Sequence, residues 1–232
     1  NIMQHNTERL LTLTNQLLDF RKVESQGYSL NFTKCDISNI LRETYMRFTS
    51  LSRQKGLDFT LELPNENFYA HVNREAFTKI ISNLLNNGMK YADSYMHIKL
   101  EIDQEKQFFY VVTKNDGVII PDEMKEEIFQ PFVRFSQEEK GKVTTGTGIG
   151  LALSRSLAEL HCGTLVMVQG EEENLFRLTL PFECFPSYLD DKLEGKHSKG
   201  SKHIVLVVED NPEMLTFIER QLSFKYAIIT AT

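Results

Sequence analysis

Residues 83–92 read NLLNNGMKYA, and this stretch carries two patterns at helical spacing. From Phe77 to Met89, apolar residues recur at intervals of three and four, which predicts a helix with one buried face. Asn83, Asn87 and Lys90 follow at i, i+4 and i+7, so they project together from a second face of the same helix. The stretch therefore predicts a core helix that also presents a polar patch.

That patch combines two carboxamides with one ammonium group. A carboxamide oxygen is a neutral, hard ligand that suits Mg²⁺, and a lysine offers a point charge to phosphates. The combination favours a metal-bound polyphosphate as the ligand. The alternative is that the same side chains form an ordinary solvated helix face.

The composition is that of a globular chain. Its 232 residues, 41% hydrophobic and 25% charged, allow one substantial core and a small second unit. The net charge of −6 argues against a general nucleic-acid or membrane-surface binder. No apolar run approaches the roughly 20 residues of a spanning helix, and the N-terminus lacks signal-peptide features, so we expect a cytosolic segment.

Cysteine and histidine contribute no predicted site. Cys35, Cys162 and Cys184 are odd in number and far apart, which predicts reduced thiols rather than a disulfide framework or a zinc site. The six histidines form no i, i+4 pair, which argues against a metal site built from them.

The chain divides into four segments by its apolar patterning. Residues 1–25 place leucines at three-and-four spacing, which predicts a bundle helix that needs a partner helix. Residues 28–183 alternate strand and helix patterns, and residues 184–202 are rich in charge, Gly and Ser, which is typical of a linker. Residues 203–232 begin a βαβ unit, with strands at 203–208 and from 226 and a helix at 213–222.

Within the second segment, the elements are predicted from alternation, helical periodicity and caps. Asp36 and Asn73 are predicted N-caps of two helices, and Pro121 is predicted to begin a short acidic helix. A polar loop is expected at 136–145, and the glycine-rich stretch after it, 146–151, is predicted to open a helix that continues through Leu160. The predicted strands lie at 29–35, 57–63, 68–72, 96–102, 108–113, 164–168 and 175–180. Those at 96–102 and 108–113 are predicted to form a hairpin.

Two glycine-containing turns follow the Asn-rich helix, one at 115–117 and one at 146–150. A glycine-rich turn that opens a helix is a phosphate site in principle, because backbone N–H groups and the helix dipole favour an anion. No Walker lysine follows the glycines and no strand directly precedes them, so the P-loop and Rossmann interpretations are excluded by context.

Along the chain come the Asn-rich helix, the turn at 115–117, a Phe-rich segment at 128–134, the polar loop and the turn at 146–150. This order resembles the ATP-binding domain of sensor histidine kinases, with its N, G1, F and G2 boxes. The resemblance implies a two-layer α/β sandwich of the histidine kinase/Hsp90/gyrase ATP-binding type over residues 28–183. It also implies that residues 1–25 are the second helix of a dimerisation and phosphotransfer hairpin and that residues 203–232 open a receiver domain. The chain would then belong to a hybrid kinase.

The resemblance assigns roles to particular residues. Asn87 would hold Mg²⁺, Asn83 and Lys90 would support the phosphates, Tyr91 would lie near the nucleotide, and Arg134 would approach the terminal phosphate. In the receiver, Glu209 and Asp210 would bind Mg²⁺. The rest of the implied nucleotide site lies in the two turns and comprises Asn115, Gly117, Gly146, Thr147, Gly148, Gly150 and Leu151.

Two departures from the family pattern change what we expect. Asn115 stands where the family has an Asp that reads adenine, and Asp116, one place later, is the other candidate for that role. Ile119 replaces a common second glycine. His5 lacks the Glu, Arg and Pro pattern of a phosphoacceptor, so we expect the acceptor histidine upstream of residue 1. We likewise expect the receiver's acceptor aspartate beyond Thr232.

The resemblance therefore predicts the ATP- and Mg²⁺-dependent catalytic part of a hybrid sensor histidine kinase, in the cytoplasmic portion of a membrane-anchored bacterial sensor. Its partners would be its own hairpin, a receiver domain and a second copy in a homodimer, with no nucleic acid and no membrane contact by this segment. One alternative is an ATP-binding module without transfer, which Asn115 and Ile119 leave open. The other is an ATP hydrolase of the same fold, which Asn83 disfavours because a carboxamide cannot take a proton from water.

Overall fold

The computed structural model describes residues 2–24, 30–133, 147–168, 173–184, 204–208 and 227–231. The chain forms two compact units, Asn1–Pro186 and Ser187–Thr232. In chain order the elements are α1 (Ile2–Glu24), β1 (Thr33–Asp36), α2 (Ile37–Lys55), β2 (Asp58–Glu62), β3 (Tyr69–Val72), α3 (Arg74–Tyr91), β4 (Tyr95–Asp103), β5 (Phe108–Asn115), α4 (Gly150–Leu160), β6 (Thr164–Val168), β7 (Asn174–Pro181), β8 (Ile204–Val208) and β9 (Ala227–Ala231).

The first unit contains a five-stranded mixed sheet in the order β2-β4-β5-β7-β6. β2 runs parallel to β4, and the other neighbouring pairs are antiparallel. β4 and β5 form the predicted hairpin, with Met96 opposite Asn115 and Asp103 opposite Phe108. A separate antiparallel pair joins β1 to β3. The five strands of this sheet were all predicted from the sequence, and each is confirmed.

Helices α2, α3 and α4 pack with the sheet around one apolar core. Both predicted caps are confirmed. Asp36 accepts a hydrogen bond from the backbone N of Asn39 at 2.8 Å, and Asn73 accepts from the backbone N of Ala76 at 2.9 Å. Each cap satisfies a backbone N–H that the first helical turn leaves without a helical partner. The α/β architecture expected from the resemblance is therefore present.

Helix α1 contacts the rest of its unit through its C-terminal part. Phe20 and Val23 are buried there, and Lys79 Nζ of α3 lies 2.7 Å from Asp19 Oδ2. Leucines on its other faces are exposed, namely Leu11, Leu17 and Leu18. The predicted helix is confirmed, and its apolar surface is only partly covered.

Two local predictions are wrong. The acidic helix predicted from Pro121 is a pair of 3₁₀ turns, Asp122–Met124 and Glu127–Phe129. The segment is short, neither turn has a side-chain cap, and 3₁₀ geometry is what such short pieces adopt. The strand predicted at 29–35 is the shorter β1, because its partner β3 offers only four residues for pairing.

The cysteine prediction is also wrong for two of the three residues. Cys162 and Cys184 form a disulfide with their Cα atoms 5.9 Å apart, whereas Cys35 is a free, buried thiol. Sequence separation could not reveal the pair, because the end of α4 and the end of β7 meet only in the folded domain.

In the second unit, β8 and β9 pair in parallel from Ile204 opposite Ala227 to Val208 opposite Ala231. Both strands predicted there are confirmed. The predicted helix at 213–222, together with Glu209 and Asp210, lies outside the described residues.

Candidate functional site

Helix α3 presents the polar patch because its apolar stripe is fully used by the core. The predicted stripe is buried along its whole length, at Phe77, Ile80, Ile81, Leu84, Leu85 and Met89. That burial leaves Asn83, Asn87 and Lys90 on a half-buried face of the helix. The structure thus confirms the two-sided character of the stretch.

At one end of the patch, Asn83 holds the start of α4. Its Nδ2 donates to the backbone O of Gly150 at 3.2 Å and to Oγ of Ser154 at 3.1 Å. Ser154 Oγ itself donates to the same carbonyl at 2.8 Å. The Asn83 carboxamide therefore ties α3 to the second glycine-rich turn.

At the other end, α3 meets the first turn. A Cβ on Gly117 would lie 2.0 Å from the backbone O of Tyr91, so only glycine fits at this position. Lys90 Nζ donates to the Tyr91 hydroxyl at 2.7 Å and lies 4.4 Å from the centre of its ring. The contact with Tyr91 places Gly117 of the first turn directly against the end of the Asn-rich helix.

Asn115 is buried inside the first turn. Its Oδ1 accepts from the backbone N of Gly117 at 3.2 Å and lies 3.5 Å from Asn174 Nδ2. Asn174 Nδ2 also donates to the carbonyls of Gly117 and Val118, and its Oδ1 accepts from the backbone N of Ile120. The two asparagines are opposite one another in the β5–β7 register and together hold the turn.

Asp116 is committed to a different loop. Its carboxylate accepts hydrogen bonds from the backbone N–H groups of Asp93, Ser94 and Tyr95 and from the Ser94 hydroxyl. Burial raises the pKa of Asp116, but these hydrogen bonds outweigh burial and lower that pKa to about 2. The carboxylate therefore holds the connection between α3 and β4.

The second turn is held from two sides. Thr147 Oγ1 donates to Oε1 of Gln16 on α1 at 2.9 Å and accepts from the backbone N of Ile149 at 3.2 Å. Gly148 has a φ of 71°, and a Cβ there would lie 2.8 Å from the Phe132 backbone, whose N–H donates to the Gly148 carbonyl. The last described residues of the Phe-rich segment are thus hydrogen-bonded to the turn.

Taken together, α3 contacts both turns, at Asn83 and at Tyr91, with Asn87 midway between them. Eight residues of helix correspond to about 12 Å along the axis. Ile149 provides no side-chain cap to α4, so the dipole and the backbone N–H groups of its first turn can favour an anion. Leu151 is half-buried and packs on the core.

Several predicted residues cannot be placed. Arg134, Gly146, Glu209 and Asp210 lie outside the described residues.

Within the described part of the chain, His, Cys, Asp and Glu form no group of three or more suited to a metal ion. No described helix is long and apolar enough to cross a bilayer.

Sequence reasoning missed the residues that hold the turns, namely Gln16, Ser94, Ser154 and Asn174. Each bonds to a partner at least 22 residues away in the chain, and the Gln16 to Thr147 bond spans 131 residues. No local pattern could have identified them, because each is a single polar residue in an otherwise ordinary segment.

Residues 72–184 match the sequence profile of a family described as histidine kinase-, DNA gyrase B- and HSP90-like ATPase. Histidine kinase P4 of Formosa agariphila is 26% identical over 99% of this chain and 19% of its own length. Sensor histidine kinase TmoS of Ectopseudomonas mendocina is 29% identical over 99% of this chain and 26% of its own length. The chain thus spans only about a quarter or less of these relatives.

Among solved structures, the catalytic domain of histidine kinase ThkA superposes with a TM-score of 0.58 at 26% identity. The match covers 68% of this chain and 99% of the ThkA domain. The fold of the described sheet and helices is therefore that of histidine kinase catalytic domains.

Proposed function

We propose that this chain, in which residues 72–184 form a domain of the histidine kinase-, DNA gyrase B- and HSP90-like ATPase family, is the ATP-binding catalytic part of a hybrid sensor histidine kinase. It donates the γ-phosphoryl group of ATP to a histidine outside this chain, for relay to a receiver aspartate. Its relatives named as histidine kinases support this assignment.

The observation that carries the proposal is the contact of α3 with both glycine-containing turns. Asn83 bonds to Gly150 at one end and Tyr91 packs on Gly117 at the other. The face between them carries Asn87, whose neutral oxygen suits Mg²⁺, and Lys90, whose charge suits a phosphate. A nucleotide is a ligand of the right length for a site about 12 Å long with a buried turn at one end and an anion-favouring helix start at the other.

We propose the following roles for the predicted site residues. Mg-ATP supplies the transferable phosphoryl group when it is bound. Asn115 and Gly117 would receive the base, Asn87 would hold the metal, and Arg134 would approach the terminal phosphate. Asn83 and Lys90 would support the phosphates together with the second turn, and Tyr91 would lie near the nucleotide. The residues proposed from the second turn are Gly146, Thr147, Gly148, Gly150 and Leu151.

The remaining segments fit the same proposal. Residues 1–25 act as the second helix of a dimerisation and phosphotransfer hairpin, and the exposed leucines of α1 offer apolar surface to partner helices. Residues 28–183 form the catalytic domain and residues 184–202 the linker. Residues 203–232 open a receiver, since β8 and β9 pair in parallel and a parallel pair requires a crossover connection. Glu209 and Asp210, which follow β8 directly, then bind its Mg²⁺, and the whole segment lies on the cytoplasmic side of a membrane-anchored bacterial sensor.

A hydrolase of the same fold is not supported. Asn83 stands where such enzymes place a glutamate, and its Nδ2 is engaged with Gly150 and Ser154. A carboxamide cannot accept a proton from an attacking water at neutral pH. We therefore expect slow ATP hydrolysis by the isolated chain.

The proposal is tested by supplying γ-labelled ATP to this chain together with a separately produced phosphotransfer hairpin of the same protein. Label on the hairpin histidine supports the kinase. Tight ATP binding without transfer would support the alternative that Asn115 and Ile119 leave open, a regulatory ATP-binding module. Absence of ATP binding would overturn both functions.

A further inference from the structure

The disulfide between Cys162 and Cys184 lies at the opposite end of α4 from the proposed nucleotide site. Cys162 follows His161, the C-cap of the helix, and its backbone N–H donates to the carbonyl of Glu159 at 2.9 Å. Cys184 lies shortly after β7, which ends at Pro181. The bond therefore fastens the C-terminal end of α4 to the place where the chain leaves the sheet.

The backbone of Cys162 belongs to the turn that ends α4, in which the N–H of Cys162 donates to Glu159 and the N–H of Gly163 donates to Ala158. The φ of Cys162 is 57°, in the left-handed region where glycine is favoured and a side chain is strained. The next residue, Gly163, has no room for a side chain, because a Cβ there would lie 2.2 Å from the Thr179 carbonyl oxygen. The turn that ends α4 therefore fixes both residues and holds Cys162 within disulfide distance of Cys184.

The two cysteines differ in exposure but lie at a distance that suits a disulfide. Cys184 is buried, whereas Cys162 is half-buried and therefore accessible to a reagent from solution. The Cα atoms are 5.9 Å apart, within the range of unconstrained disulfides, so the bond can form with the helix end and the strand end in place. The third cysteine, Cys35, is buried elsewhere as a free thiol.

We propose that Cys162 and Cys184 are a reversible thiol–disulfide pair, a redox modification site of the catalytic domain. The oxidant is a small-molecule disulfide such as glutathione disulfide. The Cys162 thiolate attacks one of its sulfurs and releases one glutathione thiolate, and the Cys184 thiolate then attacks the mixed disulfide and releases the second. The two protein thiols lose two electrons and two protons, and the oxidant becomes two glutathione thiols.

Reversibility follows from the proposed cytoplasmic side, where thiols are kept reduced and disulfides are transient and redox-sensing. The inference rests on the proposed function only for this point. Its test uses no nucleotide, so its failure would leave ATP binding and phosphotransfer untouched.

The test counts thiols in the whole chain. The protein is equilibrated with glutathione disulfide or with dithiothreitol, unfolded, alkylated with N-ethylmaleimide and weighed intact. We expect one adduct, on Cys35, after oxidation and three after reduction, since the chain has three cysteines. Three adducts after oxidation, or one adduct after reduction under native conditions, would overturn the proposal.

A thermal readout checks that the pair forms within the folded domain. Oxidation should raise the Tm by about 5 °C or more, because the bond closes a loop of 22 residues. Cys162→Gly, which suits the left-handed backbone, should fold and show no redox-dependent Tm, and Cys184→Ser should behave alike. Cys35→Ala is the matched control and should retain the shift. A redox-dependent Tm that persists in Cys162→Gly would contradict the assignment.

Discussion

Thr147 in the second glycine-rich turn donates a hydrogen bond of 2.9 Å to Gln16 on α1, 131 residues earlier in the chain. The hydroxyl that we propose for the phosphate side of the site is thus bonded to the helix that we propose for the dimerisation hairpin. The same region of α1 is anchored by the Asp19 to Lys79 ion pair. If ATP uses Thr147, nucleotide binding and this contact of α1 compete.

Gln16→Ala should therefore strengthen ATP binding. Loss of one partly buried hydrogen bond corresponds to an affinity gain of between about twofold and tenfold. Isothermal titration with a non-hydrolysable ATP analogue measures it, and Asn15→Ala, an exposed neighbour on the same helix, is the control. Equal ATP affinities for both variants and the parent would show that ATP and Gln16 do not compete for Thr147.

Asn87→Ala should abolish Mg-ATP binding and leave the fold intact, because Asn87 lies on the half-buried polar face and not on the buried stripe of α3. The matched control is Asn86→Ala, which removes the adjacent exposed carboxamide. Binding assays with and without Mg²⁺, together with circular dichroism, test this. An affinity within about threefold of the parent would remove Asn87 from the site.

Asn115→Asp should improve both ATP binding and discrimination against GTP. An ionised carboxylate accepts more strongly from the adenine amino group and repels the guanine carbonyl. The Asn115 carboxamide, whose Oδ1 already accepts from Gly117 and Asn174, also carries an N–H donor that guanine can use. We expect a gain of about 1 to 2 kcal/mol in the ATP to GTP ratio, or roughly tenfold. Competition of GTP against a labelled ATP analogue measures it.

Asp116→Asn is the matched control for that experiment. Because Asp116 is bonded to Asp93, Ser94 and Tyr95, this variant should lose stability but keep the parent's ATP to GTP ratio. A parent protein that already excludes GTP as strongly as Asn115→Asp would instead assign adenine recognition to another group.

His161 should make the domain less stable in mild acid. Burial lowers the pKa of His161 below 6.5, and the backbone N–H of Asn73, which donates to Nε2, also favours the neutral ring, whereas the hydrogen bond to the Leu157 carbonyl opposes the shift. The unfolded chain therefore binds a proton before the folded one does. The stability due to neutral His161 is complete above pH 6.5 and is lost as the pH falls toward the folded-state pKa.

Urea unfolding at pH 7.5 and 5.5 tests this prediction. The parent should lose more unfolding free energy between the two pH values than His161→Gln, which has no titratable group at that position. An equal loss in both proteins would assign the pH dependence to other groups.

Several features were predictable because they are set within a few residues. The spacing of Phe77, Ile80, Ile81 and Leu84 was enough to identify the buried stripe of α3, since a helical period repeats every few residues. Asp36 and Asn73 were recognisable as caps because a cap bonds to a backbone N–H three residues later. The β4–β5 hairpin followed from alternation in two adjacent runs.

Other features depended on which distant segments meet. Asp116 was a candidate for reading adenine by its place in the turn, yet its carboxylate is bonded to the loop at 93–95. The 3₁₀ turns after Pro121 replaced a predicted helix because the segment was too short and uncapped to continue one.

By itself, the sequence determined the elements of the domain, the polar face of α3 and the presence of two glycine-containing turns, because each arises from contacts between near neighbours in the chain. Only the tertiary structure decided that Asn174 lies opposite Asn115, that Gln16 reaches Thr147 and that Cys162 meets Cys184. These pairs are 59, 131 and 22 residues apart, and they are brought together by strand register and helix packing, which no local pattern encodes.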